Sequence, residues 1–119
     1  MVQRLFRTHS FQMMRGSIWW VEFDPAIGTE IKKTRPAIIV SNNIANQYLS
    51  RVVVVPLTNN VSRLYPGEAF ITVNGVKNKA MVDQIMSADK SRLKNKMGEI
   101  SAEDMDSLAL TMKSFFCLH

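Results

Sequence analysis

The chain has 119 residues, enough for one domain with a hydrophobic core but too few for two. Hydrophobic residues make up 46% of it, as in globular proteins, and no apolar run approaches the ~20 residues of a membrane-spanning helix. Lysine and arginine outnumber acidic residues by 15 to 10, and the resulting net charge of +5 favours polyanionic partners such as nucleic acid or an acidic protein.

The scarcity of cysteine and histidine restricts the chemistry. Cys117 is the only cysteine, so the sequence excludes an intrachain disulfide and a thiolate metal cluster, and we expect a reducing, cytoplasmic location. The two histidines, His9 and His119, lie near opposite ends of the chain, which argues against a histidine pair or a histidine-bound metal. Any catalysis must use arginine, lysine, carboxylates and hydroxyls, and we expect neither a metal nor another cofactor.

Residues 1–13 are predicted to be an N-terminal extension, and residues 14–119 a single domain. The extension lacks strand alternation and a helix cap, and no apolar stretch follows its two arginines to make a signal peptide. We interpret it either as an upstream start, because Met13 and Met14 directly precede the first strand, or as a basic arm that touches nucleic acid.

The first predicted strand covers residues 18–23. Its aromatic and β-branched residues alternate, with Trp19 and Val21 on one face and Ile18 and Trp20 on the other.

A polar, basic loop over residues 28–36 leads into an apolar strand over 35–41. Pro36 fixes its own φ and pushes Arg35 towards an extended backbone, so we expect the guanidinium to project from the mouth of a sheet. Such a cation suits a phosphate. An ordinary solvated loop before a strand is the alternative interpretation.

The next strand, over residues 51–55, is apolar on both faces and follows a helical turn over 43–48. It is therefore predicted to be central in the sheet. Pro56 is expected to break its ladder, which makes Leu57 and Thr58 the strand's exit.

Strands over residues 68–73 and 79–85 are predicted to be neighbours, with a turn at Asn74 and Gly75, and residues 96–100 to add a short final strand. Five or so strands at this spacing, without an internal repeat, predict a mainly β fold, a small barrel or strongly twisted half-barrel.

One helix is predicted at the C-terminal end. Ser101, followed three residues later by Asp104, has the form of an N-cap and capping box. The apolar residues at helical spacing are Met105, Leu108, Met112 and Phe115. A methionine-rich stripe of this kind belongs to a core more often than to a binding surface.

Five short motifs stand in one order along the chain: Arg15-Gly16-Ser17-Ile18-Trp19-Trp20-Val21, then Asp24-Pro25 with Gly28-Thr29-Glu30, Thr34-Arg35-Pro36-Ala37, Val55-Pro56-Leu57-Thr58, and Asp83-Gln84-Ile85 followed by Asp89-Lys90-Ser91-Arg92-Leu93. None is specific alone. Together, over about residues 14–116, they resemble the MazF/PemK family of toxin endoribonucleases.

The resemblance implies an SH3-like barrel of five to seven antiparallel strands with a C-terminal α-helix. It also implies a homodimer, and a toxin of a type II toxin–antitoxin system that a cognate antitoxin, expected to be acidic, inhibits. The implied activity is metal-independent, sequence-specific cleavage of single-stranded mRNA through its own 2′-OH, which leaves 2′,3′-cyclic phosphate and 5′-OH ends.

Two residues match positions that the family treats as catalytic. Its strand-entry arginine matches Arg35, and the threonine after its Val-Pro pair matches Thr58. The chemistry agrees, because a phosphorane needs a fixed donor for its extra negative charge. Arg35 suits this role as a permanent bidentate phosphate clamp, and Thr58 can hydrogen-bond a phosphate oxygen or the 2′-OH. An ordinary strand threonine is the alternative for Thr58.

The match is weaker further along the chain. Asp83 and Gln84 correspond to an acidic-Gln position, but Met81 and Met86 stand where two branches of the family have an arginine, which argues against a second arginine from this segment. Glu30 and Asp83 are the candidate general bases. The expected RNA-binding residues are Lys32, Lys33, Thr34, Asn59 and Gln84.

A second function class stays open, a non-catalytic toxin or binding barrel of the same fold that acts on a protein target such as DNA gyrase through its helix. The pairing of Arg35 with Thr58 favours the ribonuclease, because a protein-binding barrel has no need of it.

Overall fold

The computed structural model describes residues 12–23 and 34–119. Residues 1–11, most of the predicted extension, lie outside this range, and Met13 is buried in the core. The domain boundary stays a prediction. The elements are β1 (Ser17–Glu22), β2 (Thr34–Ile39), α1 (Asn43–Tyr48), β3 (Arg51–Thr58), β4 (Glu68–Val73), β5 (Val76–Met81), a 3-10 turn (Val82–Gln84), β6 (Met86–Asp89), a second 3-10 turn (Lys90–Arg92), β7 (Leu93–Glu99) and α2 (Ala102–Phe115).

The strands form one curled sheet in the order β4-β5-β3-β2-β1-β7, and β6 pairs with β3 beside this path. Paired strands run antiparallel. With α2 at the C-terminal end, this confirms the predicted mainly β fold of five to seven strands and one C-terminal helix. Within the described residues, no helix is both long and apolar enough to span a membrane.

β3 is central in the sheet, as its apolar sequence predicts. The predicted break at Pro56 is seen in the ladder with β2, whose last pair joins Pro56 to Ala37, and the strand exits through Leu57 and Thr58 as predicted. What changes there is the neighbour: Leu57 lies opposite Ala80 of β5. A residue without an N–H is tolerated at such a change of partner, where the ladder with one neighbour ends and the next begins.

Both faces of β1 are buried along most of its length. Trp19 is 0% exposed and packs with Val21, Ala37 and Ile39 in one hydrophobic cluster. Ile18 points to the other face and packs in a second cluster with residues of β3, β4, β5 and α2. The predicted alternation of β1 is confirmed, and the two clusters form the core on either side of the sheet.

The β4–β5 hairpin turns at Asn74 and Gly75, as predicted. Their φ angles are 49° and 82°, the pair of positive values that a two-residue type I′ turn requires. Val73 and Val76 lie directly opposite each other across this turn.

The sequence predicts a strand over 79–85, and this is wrong at both ends. β5 begins earlier, at Val76, and ends at Met81. Val82–Gln84 form a 3-10 turn, which contacts β3, β4 and α2. This tertiary contact buries Val82 completely and replaces the burial that strand alternation would have provided.

After this turn the structure has one strand more than predicted, β6, and the last strand, β7, is longer than predicted. β7 begins at Leu93, three residues before the predicted start, and the four-residue strand β6 has no counterpart in the predictions. Its pairing with β3 over 51–54 is a long-range contact that its own four residues do not specify.

α2 begins as predicted, and one detail of its cap differs. The hydroxyl of Ser101 accepts a hydrogen bond from the amide of Asp104 at 3.0 Å, which confirms the N-cap. The Asp104 carboxylate accepts from the amide of Thr72 in β4 at 2.8 Å, so it joins the helix to the sheet edge. The residues that pack on the core are Leu108, Met105 and Met112, as the stripe predicts, whereas Phe115 is 42% exposed.

A buried ion pair holds the loop between β3 and β4. Lys79 Nζ lies 3.0 Å from Glu68 Oε1, with side-chain exposures of 7% and 10%. Lys79 also donates to the carbonyl of Arg63 at 2.6 Å, and Glu68 accepts from the amide of Tyr65 at 2.7 Å. One pair therefore fixes two backbone positions of this loop.

Replacing Glu68 by Gln should lower the free energy of unfolding at pH 7 by about 3 kcal/mol, because it breaks a buried ion pair and leaves Lys79 without its partner. The matched control is Glu99→Gln, which breaks the exposed Lys96–Glu99 pair and should cost about 1 kcal/mol or less. Denaturant unfolding measures both. Equal losses of unfolding free energy in the two variants would show that breaking the buried pair costs no more than breaking the exposed one.

The free energy of unfolding of Glu68→Gln should also fall less steeply than that of the parent as the pH is lowered. Burial raises the pKa of Glu68, but the Tyr65 amide and Lys79 lower it by more, so it lies below its usual value near 4.5. A depressed folded-state pKa gives stability that is present above the unfolded-state pKa and is lost as pH falls through the folded value. The difference between parent and Glu68→Gln should therefore shrink at acid pH. A constant difference would contradict this.

Candidate active site

A cleft of about 600 Å³ opens on one face of the curled sheet, between β1, β2, β3 and β7 on one side and the β4–β5 hairpin on the other. Its size lies within the roughly 300–1,000 Å³ of small-ligand sites. The lining residues are Trp20, Arg35, Pro36, Leu57, Thr58, Asn59, Val73, Asn74, Val76, Asn78 and Met97.

One wall of the cleft is a row of apolar side chains that crosses three strands. Trp20 of β1 lies opposite Pro36 of β2. Ile38 lies opposite Val55 of β3, and Leu57, two residues further along β3, lines the cleft together with Pro36. Directly opposed residues share a face of the sheet, so the strand register itself builds this wall.

Arg35 is the one charged side chain among the described residues that line the cleft. It is the second residue of β2, is half-buried, and lies opposite Val21 of β1. Its backbone is extended in the strand ladder, as the following Pro36 requires. The structure therefore holds this cation in the sheet, and its catalytic role stays a prediction.

Thr58 and Asn59 stand at the end of β3 beside the same cleft. The Thr58 hydroxyl accepts a hydrogen bond from the amide of Asn60 at 3.2 Å. A hydroxyl has two lone pairs and one hydrogen, so this bond leaves the hydrogen available for an acceptor such as a phosphate oxygen. The structure thus brings together Arg35, Thr58 and Asn59 of the predicted residues.

Asp83 and Gln84 lie elsewhere. They belong to the 3-10 turn after β5, both are exposed, and neither lines the cleft. Met81, which precedes them, is about 10 Å along β5 from the cleft residue Asn78. Gln84 donates to the sulfur of Met81 at 3.5 Å. Their predicted roles as general base and RNA contact stay predictions without support from this geometry.

The remaining predicted residues divide into two groups. Glu30, Lys32 and Lys33 lie outside the described residues. Thr34 is the first residue of β2 and is exposed, but it is not part of the lining of the cleft.

Trp20, Asn74 and Asn78 are among the residues of the cleft that sequence reasoning missed. The alternation of β1 separates Trp20 from the buried Trp19, and this was the available signal. Asn74 is recognisable only as a turn residue, and nothing local shows that the hairpin faces β1 and β7.

The chemistry of the described lining is that of hydrogen-bond donors. It combines a guanidinium, a hydroxyl and three asparagine amides, and it contains no carboxylate. Across residues 12–23 and 34–119, no three His, Cys, Asp or Glu side chains lie close enough together to hold a metal ion. Such a donor set can bind an anion and stabilise negative charge that develops on it.

Comparison with known proteins agrees with this anion-binding geometry. Residues 14–116 match the family of PemK-like, MazF-like toxins of type II toxin–antitoxin systems. The chain is 38% identical over 110 residues to the endoribonuclease MazF9 of Mycobacterium tuberculosis, covering 85% of this chain and 93% of the relative. This chain belongs to the PemK-like, MazF-like toxin family.

Two further matches extend the comparison. The endoribonuclease toxin MazF of Escherichia coli is 32% identical over 91 residues, with 76% of this chain and 81% of that protein covered. The MazF fold is also seen in a MazE–MazF crystal structure from Deinococcus radiodurans, at a TM-score of 0.76 and 24% identity, over 89% of this chain and 96% of that one. The predicted family and fold are confirmed.

Asp83→Asn tests whether this MazF-like toxin uses a base outside the cleft. We expect single-turnover RNA cleavage within about threefold of the parent, whereas loss of a general base typically costs ~10² to 10⁴. Glu30→Gln is the matched variant at the other candidate base. A loss of ~10² or more in folded Asp83→Asn would assign the base to Asp83 in spite of its distance from the cleft.

Proposed function

We propose that this MazF-like toxin cleaves single-stranded RNA in the cleft that Arg35 and Thr58 line. The observation that carries the proposal is the presence of Arg35 as the one cation of the described lining, beside a hydroxyl and three amides. The curated relatives at 38% and 32% identity are endoribonucleases, which supports the same activity here.

The proposed reaction uses the RNA's own 2′-OH as the nucleophile. A bond forms between the 2′ oxygen and phosphorus, and the bond from phosphorus to the 5′ oxygen of the next nucleotide breaks. The 2′ proton passes to a base, and the departing 5′ oxygen gains a proton. The products are a 2′,3′-cyclic phosphate and a 5′-OH, and the balance needs no oxidant, reductant or cofactor.

Arg35 and Thr58 have separate roles in this reaction. The phosphorane carries more negative charge than the substrate phosphate, and a guanidinium held in a β-strand stabilises that charge without reorganising. The planar guanidinium of Arg35 can donate to two phosphate oxygens at once, so it acts as a charge clamp. Thr58 contributes a hydroxyl hydrogen for a phosphate oxygen or for the 2′ oxygen.

We propose two further partners. An acidic antitoxin segment suits a toxin of net charge +5 and would compete with RNA for the cleft. The solved neighbour from Deinococcus radiodurans is a MazE–MazF structure, which supports pairing with an antitoxin. The homodimer implied by the resemblance is part of the same proposal.

Arg35→Ala should reduce RNA cleavage by ~10² to 10³ or more, the usual cost of removing a preorganised donor at a developing charge. Arg35→Lys should not restore the parent rate fully, because an ammonium lacks the bidentate fork. Circular dichroism and denaturant unfolding check that each variant is folded. A folded Arg35→Ala that cleaves within about threefold of the parent would contradict the proposal and favour a toxin that binds a protein target.

The nucleophile is tested on the substrate. Replacing the nucleotide 5′ to the cut by its 2′-deoxy analogue should abolish cleavage at that position, since the attacking oxygen is gone. Cleavage of the unmodified RNA should continue when divalent cations are chelated, and single-stranded DNA of the same sequence should stay intact. Persistent cleavage at the deoxy position would rule out attack by the 2′-OH.

A further inference from the structure

Lys79 is a buried lysine of β5 that lies directly opposite Thr58, the last residue of β3. Directly opposed residues share a face of the sheet, so the stem of the lysine starts beside the Thr58 side chain. The Lys79 side chain is 7% exposed, and its Nζ lies 3.0 Å from Glu68 Oε1. A lysine is almost never buried to this degree unless it is paired, and here the pair lies next to a residue of the proposed active site.

The same Nζ holds the chain that follows Thr58. It donates to the carbonyl of Arg63 at 2.6 Å. The strand pairing of Thr58 with Lys79 and this hydrogen bond therefore close a ring of contacts around residues 59–62. Asn60 belongs to this ring, and its amide donates to the Thr58 hydroxyl at 3.2 Å.

Burial in the core does not fix the conformation of this loop. Residues 59–65 are exposed apart from Val61, which is half-buried. Asn60 Oδ1 accepts from the amide and the hydroxyl of Ser62, at 3.4 and 2.9 Å, and these bonds join the turn to itself. The contact with Lys79 ties the turn to the sheet. The orientation of the Thr58 hydroxyl therefore depends on a lysine that lies behind it.

We propose that Lys79 is a positioning residue of the active site. By holding the Arg63 carbonyl it keeps the Asn60 amide on one lone pair of the Thr58 hydroxyl, which leaves the hydroxyl hydrogen for the RNA phosphate. Lys79 acts through Thr58 and not on the RNA itself. This inference rests on the proposed function and adds what keeps Thr58 in place.

The first test is Lys79→Met, which removes Nζ and keeps an unbranched side chain of similar length. We expect kcat for RNA cleavage to fall by about 10- to 100-fold while KM stays within about threefold, because a shift of about 1 Å at a reacting group costs rate more than binding. Val52→Ala is the control for lost stability, because Val52 is buried in the hydrophobic cluster of Trp19. It should unfold more easily and keep the parent kcat.

Stability and rate should separate in the double variant Lys79→Met/Glu68→Gln. It removes both ends of the buried pair, so no carboxylate is left without its partner and part of the lost unfolding free energy should return. The Arg63 carbonyl is still not held, so kcat should stay as low as in Lys79→Met. Recovery of kcat together with stability would show that Lys79 has only a structural role, and the inference would be wrong.

A double-mutant cycle with Thr58→Ala tests whether the lysine acts through the threonine. Thr58→Ala should lower kcat by itself. Adding Lys79→Met should then cost less than about threefold, because the hydroxyl that Lys79 positions is already absent. Losses that multiply would show that the two residues act independently, and they would overturn the inference.

Asn60→Pro covers the case in which the Lys79 variants do not fold. Asn60 is exposed, and a proline there removes the amide hydrogen that the Thr58 hydroxyl accepts. The kcat should fall by a similar factor, whereas Asn60→Ala keeps the amide and should lose less. If the parent cleaves RNA, and folded Lys79→Met or in its place Asn60→Pro cleaves within about threefold of it, the positioning role is wrong and the ribonuclease proposal stands. If the parent does not cleave RNA, both fall.

Discussion

The change of neighbours at Pro56 determines how the sheet curls. Up to this residue β3 pairs with β2, and beyond it the same strand pairs with β5. Pro56 has no N–H to donate, so an interruption of the ladder costs least there. The β4–β5 hairpin is carried across one face of the other strands, and the cleft lies between them. Thr58 and Asn59 line the cleft because they are two and three residues past this point.

The register of β1 on β2 is the second constraint on the site. Side chains alternate with a period of two, so a slip of one residue would exchange the faces of an entire strand. Such a slip would carry Arg35 onto the face that Pro36 and Ile38 now occupy, and it would remove Trp20 from Pro36. The completely buried Trp19 penalises this slip strongly, since its large ring would have to leave the core. The core therefore fixes the geometry of the cleft.

Local sequence signals predicted the parts of the fold that local chemistry decides. The Ser101 cap and the Asn74-Gly75 turn follow from hydrogen bonds and φ angles within four residues. The 3-10 turn at Val82–Gln84 was missed because contacts with β3, β4 and α2 determine it. In the site, Arg35 and Thr58 were recognisable from their prolines and the family resemblance. Trp20 was not, because alternation assigns a face but does not show which face stays open.

Arg35 is the one cation in the described lining of the cleft. Met81 and Met86 replace the arginines that two family branches place near the acidic-Gln position, and neither methionine lines the cleft. A contact between one cation and one phosphate of a single-stranded chain is weakened by salt. Apolar and aromatic contacts are less sensitive to salt, and the wall that Trp20 begins lies in the same cleft as Arg35. In the proposed reaction, the cation would stabilise the transition state and the wall would bind the substrate. Loss of the cation would therefore slow the chemical step, whereas loss of the wall would weaken substrate binding.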